Sequence, residues 1–329
     1  MEKIAFIAGE RFVYWNTIFL SLGVLTAIGF FLAFYIGKTG NFAAGCGAVP
    51  LCLVLGTVLA RFVHWYCRTD SYSSFSAAMG DYSSGGYALV GAFAGCILAA
   101  VLLRLVFLHR NLPQMLDCMS LAALGGIVVG RMASFFNATD RGQVTQTLRS
   151  LPWVYPVTNG VSGAVEYRLA TFLIQAMVAA VLLVGLGIFF LVRRRGRDGD
   201  TCLLFLMLYG ASQVVLDSTR YDSLFFRSNG FVSVVQVACA VALVLAVVIF
   251  SVRMVGAWGF RLWQIPLWLA AAAAVGGAGY MEYYVQRHGD QAVFAYRNMS
   301  LCLAVVVLVG IGIRFLWVLG EKRRENAVV

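Results

Sequence analysis

Apolar residues fall in long unbroken runs along this chain rather than in alternation with polar ones. Nine such runs, at about 13–36, 44–66, 86–108, 117–136, 168–192, 202–219, 231–252, 260–280 and 299–319, are hydrophobic on every face and carry few charges. As a helix, about 20 apolar residues cross the roughly 30 Å hydrocarbon core of a bilayer. Only helices and closed barrels satisfy all backbone hydrogen bonds in lipid, and barrel strands would alternate apolar and polar positions. The pattern therefore predicts an all-α polytopic membrane protein with nine spans. The first run does not read as a cleaved leader, because it is too long and Glu2, Glu10 and Arg11 precede it in place of a basic n-region.

Basic residues set the expected orientation. Arg193, Arg194, Arg195 and Arg197 follow the fifth run, and Lys322, Arg323 and Arg324 follow the ninth. Arg104 and Arg110 flank the end of the third, and Arg253 and Arg261 lie between the seventh and eighth. All fall on one side if the N-terminus is outside and the C-terminus cytoplasmic. The other side then collects longer loops at 67–85, 137–167, 220–230 and 281–298, which hold seven of the fifteen acidic residues. Composition agrees: 61% of residues are hydrophobic, mean hydropathy is +0.83 and 12% are charged, against about 25% in soluble domains. A net charge of +10 would suggest nucleic acid in a soluble protein. Here it serves topology and anionic headgroups, and no nucleic-acid partner is expected. Eight cysteines show no C-x-x-C pair or metal-ligand spacing and sit mostly in apolar runs, where cysteine acts as a small hydrophobe. No metal or cofactor is expected. Two pairs of glycines four residues apart, Gly91/Gly95 and Gly126/Gly130, predict close helix–helix contacts.

Ionisable and amide side chains within or at the ends of such runs are functional candidates by default. Arg61 and His64 lie near the outer end of the second run. Arg131 lies late in the fourth, six residues before Asn137, with Asp140 and Arg141 following. Gln213, Asp217 and Arg220 close the sixth run at spacings of four and three, hence on one helix face. Gln175 and Gln236 stand alone in the fifth and seventh. Arginines converging on the outer half of the membrane suit an anionic headgroup, since guanidinium forks hold phosphate bidentately. The alternative is that they snorkel to the interface or form structural ion pairs.

Residues 125–143 read GGIVVGRMASFFNATDRGQ. This resembles the signature of the prolipoprotein diacylglyceryl transferases, G-R-x-G-N-F-x-N-x-E followed by a later G-R, with Gly130, Arg131, Phe135, Asn137 and Gly142 at matching positions. Asp117 lies fourteen residues before Arg131, as in the family. Tyr14 and Trp15, Ala60 and Arg61, the glycines Gly85, Gly86 and Gly91, the run Thr171-Phe172-Leu173, then Tyr209-Gly210, Asp217, Arg220 and Gln236 follow in family order. The resemblance covers about residues 13–250 and implies a seven-span transferase-like core at 1–252. Two additional helices at 253–320 and a cytoplasmic basic tail at 321–329 have no family counterpart. This sequence departs from the family at several positions: Val90 stands at a histidine, Ser134 at an asparagine and Thr139 at a glutamate. Gln143 and Gln213 stand at arginines, Leu169 at a histidine, and Gln175 and Asp217 at glutamates.

The resemblance implies a bacterial cytoplasmic-membrane enzyme that moves diacylglyceryl from phosphatidylglycerol to the cysteine thiol of a lipobox peptide. Phosphatidylglycerol or another anionic phospholipid and a preprolipoprotein are the implied partners. The implied catalytic residues are Asp217, Arg131 and Asn137. The implied headgroup contacts are Arg131, Arg220, Arg61, Gln213 and Ser134. Asp217 and His64 are the remaining proton acceptors, since the family histidine is absent at Val90. A second reading keeps the fold as a catalytically silent or repurposed lipid- or partner-binding protein. A third, a transporter, would call for internal repeats or polar sites at the midplane, and the sequence offers neither.

Overall fold

The computed structural model describes residues 4–8, 11–80, 86–106, 111–136, 142–145, 153–158, 162–192, 197–221, 223–227 and 229–328. Asn137, Thr139, Asp140 and Arg141 lie outside the described residues, as do Gly85, Arg110, Arg193, Arg194 and Arg195.

Among the described residues, nine helices are long and apolar enough to cross a membrane. They are α1 (Trp15–Thr39), α2 (Phe42–Cys67), α4 (Leu89–Val106), α5 (Leu112–Gly130), α6 (Thr171–Val192), α7 (Asp200–Ser218), α8 (Val234–Trp258), α9 (Ile265–Arg287) and α10 (Ala292–Val328). A short helix, α3 (Phe75–Gly80), sits in the loop between α2 and α4. Three antiparallel two-stranded ribbons decorate the same end of the bundle: β1 (Ile4–Ala8) with β2 (Arg11–Tyr14), β3 (Val154–Thr158) with β4 (Val165–Leu169), and β5 (Phe225–Phe226) with β6 (Asn229–Ser233). The protein is an all-α polytopic membrane protein, and its small strands are confined to loops. Val181, Leu191, Val252 and Leu308 are each exposed by 66% or more. In lipid those side chains meet acyl tails at no cost.

Close backbone approach organises the bundle, as the glycine spacing predicts. A Cβ on Gly91 or Gly95 would collide with the carbonyl oxygens of Leu59 and Leu55, so α4 packs directly on α2. A Cβ on Gly126 would lie 2.9 Å from that of Ala27, and one on Gly23 would lie 2.9 Å from Gly130 Cα, which joins α5 to α1. Between α1 and α2 the chain reverses at Gly40, whose φ of +66° is favourable only for glycine. Asn41 then caps α2, its side chain accepting from the Ala44 amide at 2.9 Å.

α10 packs against α9, α8 and α7. Trp317 and Ile313 from α10 are buried with Met207 of α7 and Phe250 and Met254 of α8, and Gly310 admits the Met207 side chain. At the end of the bundle where α7 begins, Asp200 is fully buried between Arg253 of α8 (2.6 Å) and Arg314 of α10 (3.0 Å). Asp117, near the start of α5, accepts from the amides of Gly199 and Cys202 at 2.9 and 2.8 Å. It thereby satisfies donors at the N-terminus of α7.

Two boundaries differ from the sequence expectation. The stretch 281–298, expected as a loop, is helical over most of its length, because α9 continues to Arg287 and α10 starts at Ala292. Polar residues there end the hydrophobic run but not the helix. Likewise the expected tail at 321–329 is helical through Val328.

Candidate functional site

The C-terminal end of α7 gathers polar contacts from α8, α10 and the segment at Gly142. Asp217 has no solvent exposure, and it accepts from Arg220 Nη1 at 3.1 Å, one helical turn on. Its other carboxylate oxygen accepts from the Ser233 hydroxyl. Ser233 is the N-cap of α8. Its Oγ accepts from the Gln236 amide and its own amide donates to Gln236 Oε1, each at 3.0 Å. This reciprocal box fixes where α8 starts and holds the hydroxyl on Asp217. Gln236 Nε2 also donates to the Val214 carbonyl at 3.2 Å, so the lone glutamine of the seventh run ties α8 to α7.

The segment before β3 closes over the same helix end. The Gly142 amide donates to Leu169 O at 2.9 Å and the Gln143 amide to Thr219 O at 2.9 Å. A Cβ at Gly142 would lie 2.7 Å from Thr171 Oγ1, so only glycine lets the strand-like segment lie this close. Gln143 Nε2 donates to Ser218 O at 3.3 Å. From α10, the Tyr296 hydroxyl donates to Ser218 O at 3.1 Å and to Gln143 Oε1 at 3.4 Å. Between these elements lies a cavity of about 150 Å³, lined by Gln143, Asp217, Arg220 and Gln236 and, from α9, by Glu282 and Gln286.

The other expected site residues lie around this cavity rather than in it. Gln213, one turn before Asp217, is buried and its Oε1 accepts from Gln175 Nε2 at 2.8 Å. The two glutamines that stand at charged family positions thus bind each other. Arg131 opens a 3-10 turn, Arg131–Phe135, and its guanidinium lies beside the Tyr209 hydroxyl. Tyr209 is eight residues before Asp217, about 12 Å along the helix. Ser134 is buried in the same turn. Arg61 is 2% exposed and donates to the carbonyls of Ala78 (Nε, 2.6 Å) and Gly86 (Nη1, 2.9 Å), with the Tyr72 and Tyr87 rings about its guanidinium. It pins the loop between α2 and α4. His64 faces the same loop, with its Nδ1 3.2 Å from the Tyr72 hydroxyl. The structure therefore joins Asp217 to Arg220 and Gln213 to Gln175, and it places Arg131 with Ser134 on the neighbouring turn and Arg61 with His64 in a separate loop anchor.

Reading the sequence missed Glu282, Gln286 and Tyr296, because they fell in a stretch expected to be loop. Their signal was spacing: Glu282 and Gln286 are four apart, on one face of a helix that outlasts its apolar run. The S-x-x-Q of Ser233 and Gln236 was also legible as a capping box.

Residues 3–252 match the family model described as prolipoprotein diacylglyceryl transferase. A phosphatidylglycerol–prolipoprotein diacylglyceryl transferase of Finegoldia magna is 26% identical over 246 residues, covering 74% of this chain and 93% of that protein. Proteins of the same description from Streptococcus agalactiae (25% identical over 256 residues, 74% and 95% covered) and Streptococcus suis (26% over 237, 69% and 84% covered) are similarly alike.

Proposed function

The chain belongs to the prolipoprotein diacylglyceryl transferase family, and from that premise we propose that it transfers the diacylglyceryl group of phosphatidylglycerol to the thiol of a lipobox cysteine. The thiol sulfur attacks the glyceryl carbon, the bond from that carbon to the phosphate oxygen breaks, and glycerol phosphate leaves with the thiol proton. The chemistry needs cations on the departing phosphate and an acceptor for the proton in transit. Arg131 and Arg220 are assigned as the cations for the phosphate, and Asn137, by its place in the family signature, as a hydrogen-bond donor. Gln213 and Ser134 are assigned as further headgroup contacts, and the assignment of Arg61 to the headgroup requires its loop anchor on the Ala78 and Gly86 carbonyls to open. Asp217 pairs with Arg220 at 3.1 Å and holds it in place. A seven-helix core through residue 252 carries this site, with α9 and α10 added to it. The membrane is a bacterial cytoplasmic one, with the N-terminus outside and the C-terminus in the cytoplasm.

The observation that carries this reading is the buried Asp217–Arg220 pair at the end of α7, inside a family match that spans three-quarters of the chain. A second reading, a silent member of the fold, draws on the pairing of Gln213 with Gln175, in which Gln175 Nε2 donates to Gln213 Oε1. The test is complementation of a bacterium depleted of its own transferase, with lipidation of a reporter lipoprotein as the readout. Lipidation that vanishes with Arg131→Ala supports the enzyme. A well-inserted chain that lipidates nothing moves the weight to the silent reading.

A further inference from the structure

One wall of the cavity at the end of α7 comes from outside the family-matched stretch. Glu282 and Gln286 belong to α9, which starts at Ile265, whereas the match ends at residue 252. Glu282 is 6% exposed. Its Oε1 accepts from Gln286 Nε2 at 3.2 Å, while Oε2 is buried and has no hydrogen-bond partner among the described residues. A buried carboxylate oxygen in that state calls for a donor. Across the cavity, the Asp217 carboxylate is already engaged by Arg220 and Ser233. Among the described residues, two carboxylates and one guanidinium thus line the space. A phosphate oxygen placed against Glu282 meets like charge, and an ammonium group must share the cavity with Arg220. A neutral hydroxyl donor meets neither obstacle, and the volume admits several water-sized groups.

We propose that Glu282 is a specificity-determining residue that accepts a hydrogen bond from the glycerol hydroxyls at the end of the phospholipid headgroup, so that the C-terminal helix pair forms part of the substrate site. This rests on the transferase reading for the identity of the lipid. Tyr296 supports the arrangement by tying α10 to the α7 end of the cavity.

The test uses the full-length protein in detergent, with short-chain phosphatidylglycerol, phosphatidic acid and phosphatidylethanolamine as probes, and reads both binding and transfer. The wild type prefers phosphatidylglycerol to phosphatidic acid. Glu282→Ala weakens phosphatidylglycerol at least tenfold and leaves phosphatidic acid unchanged or tighter. Glu282→Gln, which keeps an acceptor oxygen and the side-chain volume, retains phosphatidylglycerol and tightens phosphatidic acid. If Glu282→Ala does not fold, the gain in phosphatidic acid binding by Glu282→Gln decides the question alone. Discrimination unchanged in the folded variants overturns the proposal, as does a wild type without preference, or loss confined to phosphatidylethanolamine, which would mark an ammonium site. Headgroup preference that depends on Glu282 in a protein that transfers nothing sinks the transferase reading and leaves this subsite standing.

Discussion

Asp217 illustrates how a single side chain in this bundle holds both structure and site. A carboxylate without solvent contact is tolerated only when charge and hydrogen bonds compensate it, and here Arg220 and the α8 cap residue Ser233 do so from two directions. Asp217→Ala removes the buried carboxylate that pairs with Arg220, and removing one partner of a buried pair costs about 3–5 kcal/mol. A lower thermal midpoint in detergent is the expected result, and an unchanged midpoint would mean that Arg220 is balanced without Asp217. By contrast, Gln236→Leu should cost about 1–2 kcal/mol through loss of its side-chain hydrogen bonds to the Ser233 amide and the Val214 carbonyl, read in the same melting experiment. Transfer by the Gln236 variant should survive at permissive temperature. Asp217, Arg220 and Arg131 were legible as candidates because charge is conspicuous in apolar runs, whereas Ser134 entered only through the resemblance to the family signature. Their partners were not. That Gln213 meets Gln175 depends on how α6 and α7 are rotated about their axes, which no one-dimensional spacing fixes when the surrounding residues are apolar on every face.

At the scale of elements, the glycine pairs were read correctly as contact faces because their spacing alone puts both on one side of a helix. Gly91 and Gly95 let α4 rest on the backbone of α2. Gly95→Leu must push the two helices apart, since the obstructing atoms are carbonyl oxygen and backbone rather than a movable side chain. Overpacking of this kind costs about 1–3 kcal/mol, and the expected outcome is reduced yield and a lower melting temperature. Gly29→Leu is the control, because nothing lies within 4 Å of a Cβ there. The helix count was equally legible. The true ends of α9 and α10 were not, because hydropathy reports where lipid stops and not where backbone hydrogen bonding stops. In α9 the helix runs on to Arg287, and the residues in that overhang form a wall of the cavity.

For the molecule as a whole, the distribution of arginine predicts that a C-terminal reporter stays in the cytoplasm and one fused before Trp15 is exported. A reversed pair of results would invert every assignment of inner and outer residues made above. Overall architecture followed from composition and run length, since a bilayer leaves a chain few options. The site followed only in part, because it draws on α7, α8, the segment at Gly142 and α9, elements far apart in sequence. The grip of Asp200 on Arg253 and Arg314 has a consequence in time as well as in space. During synthesis α7 enters the bilayer with a carboxylate whose second arginine lies 114 residues downstream, in α10. Until α10 arrives Asp200 has one of its two arginines, so a chain cut short after α8 is expected to melt at a lower temperature than this one, and equal melting would show that Arg253 alone is enough.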